Sequence, residues 1–285
     1  MKFMAFRELL KDKLEGNVNC NLDKLPKGFQ RIGDIIVLNL DKEFDSIKKE
    51  IGEAVLDMFK VRSVCNKFGE ITGKFREPQI EVLAGSEDTV VTHIEHGIRY
   101  RFDIRKVMFA KGNLSERVRY PKQVKDGEVI VDMFAGLGYF SLAMGKLSKP
   151  SKIYSIELNP VSFGFLEENI KLNKINCIEA INGDCREVVD RLVSDGVEAD
   201  RVLMGYLPPP KEFLPWALKI IKKGGILHYE DILTVGKVEE ESKKVVEMIN
   251  EIAARFGKKV ELVHLQDVKS YGPKSHHYVF DLVIK

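Results

Sequence analysis

The sequence predicts an α/β protein in which a smaller N-terminal α+β domain precedes a doubly wound, mostly parallel sheet. After about residue 115, short β-rich runs alternate with helical segments, which is typical of parallel strands joined by crossover helices. A glycine loop separates the first of these runs from the next helix. The last two runs have no helical segment between them, so one antiparallel strand is expected at the C-terminal side. This is the layout of a Rossmann-like nucleotide-binding sheet, and we assign 1–114 to the first domain and 115–285 to the second.

The first domain is predicted to consist of short strands around one helix. Apolar residues recur at helical spacing from Ile47 to Met58, which predicts an amphipathic helix over 44–60. Glycine, serine and aspartate mark the turns, and the strands between them are 35–38, 80–83, 89–93 and 98–102.

The second domain is predicted to alternate strand and helix. The expected strands are 128–132, 152–157, 177–181, 201–204, 225–229, 260–267 and 276–284. The expected helices are 139–147, 161–172, 186–192, one beginning near Phe213, and 237–256.

Composition excludes several classes of protein. The chain has 285 residues with 44% hydrophobic and 31% charged residues, enough to fill a sizeable core and cover it. A disordered chain, a collagen-like chain and a small disulfide-stapled scaffold are therefore excluded. The net charge of +2 indicates no partner, so any preference for nucleic acid must come from local clustering.

The cysteines and the chain start bear on location. The four cysteines form no C-x-x-C pair, which argues against a zinc knuckle or a disulfide framework. The first residues contain no uninterrupted apolar segment typical of a signal peptide, and the most apolar stretch, 129–145, is too short to span a bilayer. We expect a cytoplasmic monomer with no metal and no membrane contact.

Three acidic residues follow three successive predicted strands. Asp132 and Glu157 end the first and second strands, and Asp184 follows the third. Glu157 lies 19 residues after Gly138, close to the spacing of an acid that binds ribose hydroxyls, and Asp184 is placed to accept from an adenine amino group. The alternative is that each acid caps a helix, which is plausible for Asp184. The order favours a nucleoside site at the carboxyl ends of the strands.

The glycine loop over 132–138 indicates which nucleoside binds. Gly136 and Gly138 allow a sharp turn and close approach of a ligand, but Ser141 stands where a dinucleotide fingerprint has its third glycine or alanine. Asp132 would repel a pyrophosphate, and it suits a ligand carrying an ammonium and a sulfonium. The loop therefore resembles motif I of the class I S-adenosylmethionine-dependent transferases, and a dehydrogenase is disfavoured.

Aromatic and basic residues indicate an acceptor. Tyr206, in the loop after the fourth strand, is a candidate for stacking on a purine-like base, although Pro208, Pro209 and Pro210 would stiffen this turn whatever its role. Residues 99–119 hold seven basic residues against two acidic ones. This basic segment resembles a phosphate-contacting surface, although an ordinary solvated face is the commoner alternative. The tRNA-contacting candidates are Arg99, Arg101, Arg105, Lys106 and Arg119, with a second basic edge at Lys269, Lys274, His276 and His277.

His93 and His96 suggest a metal site at first sight. On a strand, residues three apart point to opposite faces, so both rings cannot readily ligate one ion. A structural or surface role is expected for both.

Longer motifs resemble a known family. The runs 72–78 (TGKFREP), 93–103 (HIEHGIRYRFD) and 109–117 (FAKGNLSER) resemble the archaeal tRNA position-37 modification family. That family contains guanosine N1-methyltransferases and the wyosine-pathway aminocarboxypropyl transferases, called tRNA wyosine-synthesizing protein 2. The resemblance implies S-adenosylmethionine as co-substrate and the anticodon region of tRNA as partner. The implied cofactor contacts are Ala110, Arg117, Asp132, Phe134, Gly136, Gly138, Glu157, Asp184 and Cys185, with Ala110 at a position usually held by serine.

The loop after the fourth strand favours one branch of this family. In the methyltransferase branch this loop has an Asn-Leu-Pro sequence, whereas this chain has Gly205-Tyr206-Leu207-Pro208. The chain also looks too short for the extra N-terminal module of many of those methyltransferases, although its triple proline resembles a base methyltransferase loop. We expect transfer of the 3-amino-3-carboxypropyl group to carbon 7 of 4-demethylwyosine at position 37 of tRNA(Phe), with Tyr206 and Arg117 as catalytic residues.

Several points stay open. Arg117 fits either the cofactor carboxylate or a tRNA phosphate. No dedicated base is identified, and Asp184 and Glu230 are candidate proton acceptors. The alternatives are a guanosine-37 N1-methyltransferase or another wyosine-pathway methyltransferase, a non-catalytic tRNA-binding homologue, and a small-molecule methyltransferase.

Overall fold

A computed structural model of the chain describes residues 5–16, 18, 20–73, 75–109 and 113–285. The chain divides into two compact units, Met1–Phe109 and Ala110–Lys285. The boundary predicted between 114 and 115 would separate the first residue of a helix, Leu114–Gln123, from the rest of it. No helix in the described residues is both long and apolar enough to cross a membrane.

The first unit contains a four-stranded mixed sheet and a separate hairpin. Its helices are α1 (Phe6–Leu14) and α2 (Lys48–Phe59). Its strands are β1 (Gln30–Ile32), β2 (Ile35–Leu38), β3 (Ser63–Lys67), β4 (Ile80–Gly85), β5 (Val90–Glu95) and β6 (Ile98–Asp103). The sheet order is β1-β2-β3-β4, and β5 pairs with β6 alone. A helix was predicted over 44–60, and the observed helix α2 is shorter at both ends. Lys42–Phe44 forms a 3-10 turn before it, and Lys60 adopts a left-handed conformation that ends it.

The second unit carries the predicted doubly wound sheet. Its helices are α3 (Leu114–Gln123), α4 (Ser141–Leu147), α5 (Pro160–Asn173), α6 (Cys185–Ser194), α7 (Leu214–Ile220) and α8 (Val238–Ala253). Its strands are β7 (Val129–Asp132), β8 (Lys152–Glu157), β9 (Ile178–Asn182), β10 (Ala199–Met204), β11 (Ile221–Thr234), β12 (Val260–Gly272) and β13 (Ser275–Ile284).

The strand order confirms the Rossmann-like fold. Over residues 113–285 it is β12-β13-β11-β10-β7-β8-β9. The run from β9 to β11 is parallel, and β13 is antiparallel to both of its neighbours, as the terminal hairpin predicted. From β7 the chain adds β8 and then β9 on one side of β7. It then returns to add β10 and β11 on the other side of β7. Because such crossovers are right-handed, α4 and α5 cover one face and α6 and α7 the other.

This topology brings the ends of five strands to one edge. The register pairs Glu157 with Asn182, Asp132 with Ser155 and with Leu203, and Met204 with Tyr229. We call this the carboxyl edge: in spatial order it presents the residues Asp184, Glu157, Asp132, Gly205 and Glu230. The switch in winding direction falls between β7 and β10, where sheets of this kind bind ligands.

Candidate active site

The glycine loop after β7 makes a turn that only glycine fits at two positions. Gly136 and Gly138 have φ angles of +56° and +91°. A Cβ atom at Gly136 would lie 2.5 Å from the Tyr139 ring, and one at Gly138 would lie 2.7 Å from Leu142 Cγ. The loop therefore bends tightly into α4, with Gly136 partly exposed and Gly138 buried.

Asp132 is fully buried at the end of β7. Its Oδ2 accepts a hydrogen bond of 2.5 Å from the Ser141 hydroxyl, and its Oδ1 accepts one of 3.4 Å from the Phe134 amide. Burial raises the pKa of this carboxyl to about 6, and both hydrogen bonds oppose the rise. A cationic ligand beside it would favour the ionised form. The sequence identified Ser141 only as a departure from the dinucleotide pattern and missed its contact with Asp132.

Glu157 ends β8 beside the same loop. Its Oε2 accepts from the Gly136 amide and its Oε1 from the Asn159 amide, each at 2.7 Å. Burial raises its pKa, and these backbone hydrogen bonds oppose the rise. Because each carboxylate oxygen has two lone pairs, both retain capacity for a ribose hydroxyl.

Asp184 and Cys185 begin α6. Asp184 caps the helix by accepting from the Arg186 amide at 2.9 Å, and its carboxylate also pairs with the Arg186 guanidinium at 2.6 and 2.9 Å. The capping alternative is thus present, and the adenine contact stays a prediction. Cys185 is buried, and burial raises the pKa of its thiol to about 12, so it packs as a neutral apolar group.

Tyr206 belongs to an aromatic cluster at the end of β10. Its ring stacks on Phe134 with centroids 5.1 Å apart and an interplanar angle of 28°. Phe134 in turn meets Phe213 edge to face at 5.0 Å. The cluster therefore joins the glycine loop to the proline-rich loop. Because Tyr206 is half-buried, part of its surface stays exposed.

Arg117 lies in the interior rather than on the surface. It is 1% exposed on α3, and its guanidinium carbon lies 5.1 Å from the centre of the Tyr139 ring. This places its charge next to the glycine loop. The position favours the cofactor carboxylate over a phosphate of the tRNA backbone.

Comparison with known proteins identifies the family. A family model described as the TRM5/TYW2 methyltransferase domain matches residues 91–263, and one described as the TYW2 N-terminal domain matches residues 6–89. The chain belongs to the TRM5/TYW2 family. The resemblance seen in the sequence motifs is thereby confirmed.

Relatives from both branches of the TRM5/TYW2 family match over most of the chain. The tRNA(Phe) (4-demethylwyosine(37)-C(7)) aminocarboxypropyltransferase of Pyrococcus horikoshii is 39% identical over 277 residues, 97% of this chain and 95% of that protein. The tRNA (guanine(37)-N(1))-methyltransferase Trm5b of Pyrococcus abyssi is 36% identical over 258 residues, 90% of this chain and 74% of its own length. The crystal structure of P. horikoshii TYW2 in complex with MeSAdo has a TM-score of 0.82 at 35% identity, covering 98% of this chain and 99% of that one.

A buried polar network supports α3 in this member of the TRM5/TYW2 family, a helix that the sequence pattern did not predict. Arg119 donates to Glu116 Oε2 at 2.6 and 2.8 Å and forms a bidentate pair with Asp281. Asp281 accepts from His228 Nδ1 at 2.6 Å, while His228 Nε2 accepts from Arg201 at 2.7 Å. Burial lowers the pKa of His228 to about 4, so the ring is neutral with its proton on Nδ1. The structure therefore favours an internal role for Arg119, and its phosphate contact stays a prediction.

The other predicted tRNA-contacting residues lie in the first unit. Arg99 and Arg101 are exposed on β6 because they alternate with the buried residues Tyr100 and Phe102. Exposed Arg105 lies 3.4 Å from Glu87, and exposed Lys106 lies 3.9 Å from Asp103. These four residues keep their predicted role as a proposal. Ala110 lies outside the described residues.

His93, singled out in the sequence, has internal partners, whereas His96 is exposed. His93 Nδ1 accepts from the Gly33 amide at 3.3 Å, and its Nε2 lies 3.0 Å from Glu95. Within the described parts of the chain, no group of three or more His, Cys, Asp or Glu residues is arranged to hold a metal ion. His277 is fully buried, so it does not belong to a basic surface edge.

Proposed function

We propose that this protein transfers the 3-amino-3-carboxypropyl group of S-adenosylmethionine to carbon 7 of 4-demethylwyosine at position 37 of tRNA(Phe). The observation that carries the proposal is the end-to-end match to an aminocarboxypropyltransferase, including a TYW2-type N-terminal domain. That relative's structure contains MeSAdo, the methylthioadenosine that remains when S-adenosylmethionine loses its aminocarboxypropyl group.

The carboxyl edge fits S-adenosylmethionine along its length. Glu157 would accept from the ribose hydroxyls and the Asp184–Cys185 segment would border the adenine, while Gly136 and Gly138 allow the tight turn of the loop beside them. Asp132 would face the positive charge of the methionine arm, and Arg117 its carboxylate. The sulfonium supplies the leaving group, so the protein's task is to choose which carbon faces the nucleophile.

The aromatic cluster would receive the acceptor base. Tyr206 lies on Phe134 next to the end of β10, between the places of Asp132 and Glu230 on the carboxyl edge. An aromatic face at this point suits a flat tricyclic base taken out of the anticodon loop. By the resemblance of the loop, Tyr206 takes the position of the asparagine of the methyltransferase branch.

The tRNA would be held through its phosphates by Arg99, Arg101, Arg105 and Lys106, all of them exposed. We propose that the protein acts as an archaeal-type cytoplasmic monomer on the anticodon region. A cytoplasmic tRNA-modifying enzyme agrees with the four free cysteines in this chain.

A guanosine-37 N1-methyltransferase is the second candidate. The 36% identity to Trm5b and the prolines at 208–210 favour it. The two candidates differ in the part of S-adenosylmethionine that reaches the tRNA, since the methyltransferase moves only the methyl group.

Two parallel labelling reactions separate these candidates. tRNA from cells that lack this enzyme is incubated with S-adenosylmethionine labelled either in the methyl group or in the carboxyl carbon, and an unmodified transcript serves as control. We expect only the carboxyl label to enter the modified tRNA, with methylthioadenosine as by-product. Methyl label alone would support the methyltransferase, and binding without any transfer would support a non-catalytic homologue.

A further inference from the structure

Glu230 is a buried acid at the acceptor end of the carboxyl edge. It lies on β11 one residue after Tyr229, which pairs with Met204, so it lies beside Gly205. A Cβ atom at Gly205 would be 3.5 Å from Glu230 Oε1. The side chain is 2% exposed, and Oε1 accepts no hydrogen bond from any group in the described chain. An unsatisfied buried carboxylate oxygen costs stability, and such groups concentrate at functional sites.

His277 lies next to the other oxygen of this carboxylate, although neither of its ring nitrogens makes a hydrogen bond in the described chain. It is fully buried on β13, and its Nε2 lies 3.2 Å from Glu230 Oε2. Because one oxygen faces His277, the other is left directed at the loop that begins with Gly205. Oε1 lies on the side of Gly205, the residue before Tyr206 in the loop assigned to the acceptor base.

The other acids of the site are already engaged. Asp184 is used by the α6 N-terminus and by Arg186, and Asp132 accepts from Ser141. Glu157 accepts two backbone amides, and its remaining capacity is assigned to the ribose hydroxyls. Glu116 also has an oxygen without a hydrogen bond in the described chain, while its other oxygen accepts two bonds from Arg119. It lies on α3, whereas Glu230 lies on β11 beside Gly205. Of the two proton acceptors that the sequence left open, Asp184 and Glu230, the geometry favours Glu230.

We propose that Glu230 removes the proton from carbon 7 of the acceptor base and that His277 is its positioning residue. The inference rests on the proposed function, because only alkylation at carbon displaces a C–H proton there. The C7–Cγ bond forms as the Cγ–S bond breaks and its electron pair goes to sulfur. The C7–H bond then breaks, its electron pair returns to the ring, and the proton passes to the Glu230 carboxylate.

The test compares Glu230→Gln with Asp231→Asn, the adjacent carboxyl whose side chain projects from the opposite face of β11. Single-turnover rates are measured with 4-demethylwyosine tRNA carrying either hydrogen or deuterium at carbon 7. Affinity for S-adenosylmethionine is measured by calorimetry in the same variants. We expect Glu230→Gln to lower the rate by about 100-fold or more with cofactor affinity within about twofold. Its deuterium isotope effect should exceed that of the wild type, since proton removal becomes limiting, and Asp231→Asn should match the wild type in all three measurements.

His277→Gln provides a second, independent variant. It should lower the rate less than Glu230→Gln does and also raise the isotope effect, which a loss of packing alone would not do. If Glu230→Gln retains the rate and isotope effect of Asp231→Asn while the wild type transfers the carboxyl label, the inference is overturned and the proposed function stands. If the wild type transfers no carboxyl label, the proposed function is overturned and this inference falls with it.

Discussion

Ser141 donates a hydrogen bond of 2.5 Å to Asp132, and both side chains are fully buried. Two opposing effects act on this carboxyl. Burial raises its pKa to about 6, and the serine hydroxyl lowers it by stabilising the ionised form. The Ser141 hydroxyl, together with the Phe134 amide, therefore favours the ionised form of Asp132 near neutral pH, and substitution of either Ser141 or Asp132 has a defined expected direction.

Binding of S-adenosylmethionine should depend on this charge. We expect affinity to rise as the pH increases from about 5 to about 7, because a cationic ligand favours the ionised carboxylate. Ser141→Ala should move the rise to higher pH. Asp132→Asn should bind about one to two decades more weakly and lose the dependence on pH. Calorimetry at constant ionic strength measures all three, and equal affinities for the wild type and Asp132→Asn would remove Asp132 from the site.

The same group should affect stability with the opposite sign. The raised pKa means that Asp132 ionises less readily in the folded than in the unfolded chain. The stabilisation by the protonated carboxyl is therefore present at low pH and is lost as the pH rises through about 6. Relative to Asp132→Asn, the unfolding free energy of the wild type should fall by up to about 3 kcal/mol between about pH 4 and pH 7. Urea unfolding of both proteins without cofactor tests this, and a constant difference between them would contradict it.

Gly205 should tolerate no side chain. A Cβ atom there would lie 2.6 Å from the Phe140 ring, which packs edge to face on the buried ring of Tyr120. We expect Gly205→Ala to destabilise the protein by about 1–3 kcal/mol and to reduce transfer. Gly164→Ala is the matched control, because Gly164 lies within α5 and a Cβ atom added there would meet nothing within 4 Å outside the helix's own backbone. The control should gain about 0.5–1 kcal/mol, and equal melting temperatures for both variants would refute the close packing at Gly205.

The exposed basic residues should contribute to the salt dependence of tRNA binding. Arg105→Ala and Lys106→Ala are each expected to reduce the slope of log affinity against log salt by roughly one. Lys243→Ala, which removes an exposed lysine paired with Glu239 on α8, should leave the slope unchanged. Filter-binding titrations over a range of salt provide the slopes. Identical slopes in all variants would mean that Arg105 and Lys106 belong to an ordinary solvated surface.

The sequence predicted the strands of the sheet better than it predicted the buried contacts that hold the site residues in place. The strand over 152–157 has the predicted bounds, because its apolar run is buried between two parallel neighbours. β11 is much longer than the predicted 225–229, since Ile221 pairs with Ala199 of β10 and the last residues of β11 pair with β13. Such pairing depends on residues distant in the chain, which local patterns do not reveal.

Helix α3 illustrates the same limit inside the site. Its segment is highly charged and contains Pro121, so no apolar periodicity indicated a helix, yet Glu116 and Arg117 are buried in it. Their burial depends partly on Arg119 and on its partner Asp281, 162 residues away. The motif that suggested the family contained Glu116 and Arg117, but only the fold shows that both are internal. His277 was assigned to a basic edge because the sequence does not show its contact with Glu230, which lies on the neighbouring strand β11 and is distant in the chain.

The stack of Tyr206 on Phe134 offers a graded test of acceptor recognition. Tyr206→Phe keeps the ring and should transfer the carboxyl label within about threefold of the wild type, whereas Tyr206→Ala loses a stacking surface worth ~1–3 kcal/mol. The loss should appear in kcat/KM for tRNA, by about 10- to 100-fold, while the affinity for S-adenosylmethionine changes little. Equal losses in Phe and Ala variants would assign the role to the hydroxyl instead. A loss confined to cofactor affinity would place Tyr206 against the methionine arm rather than the base.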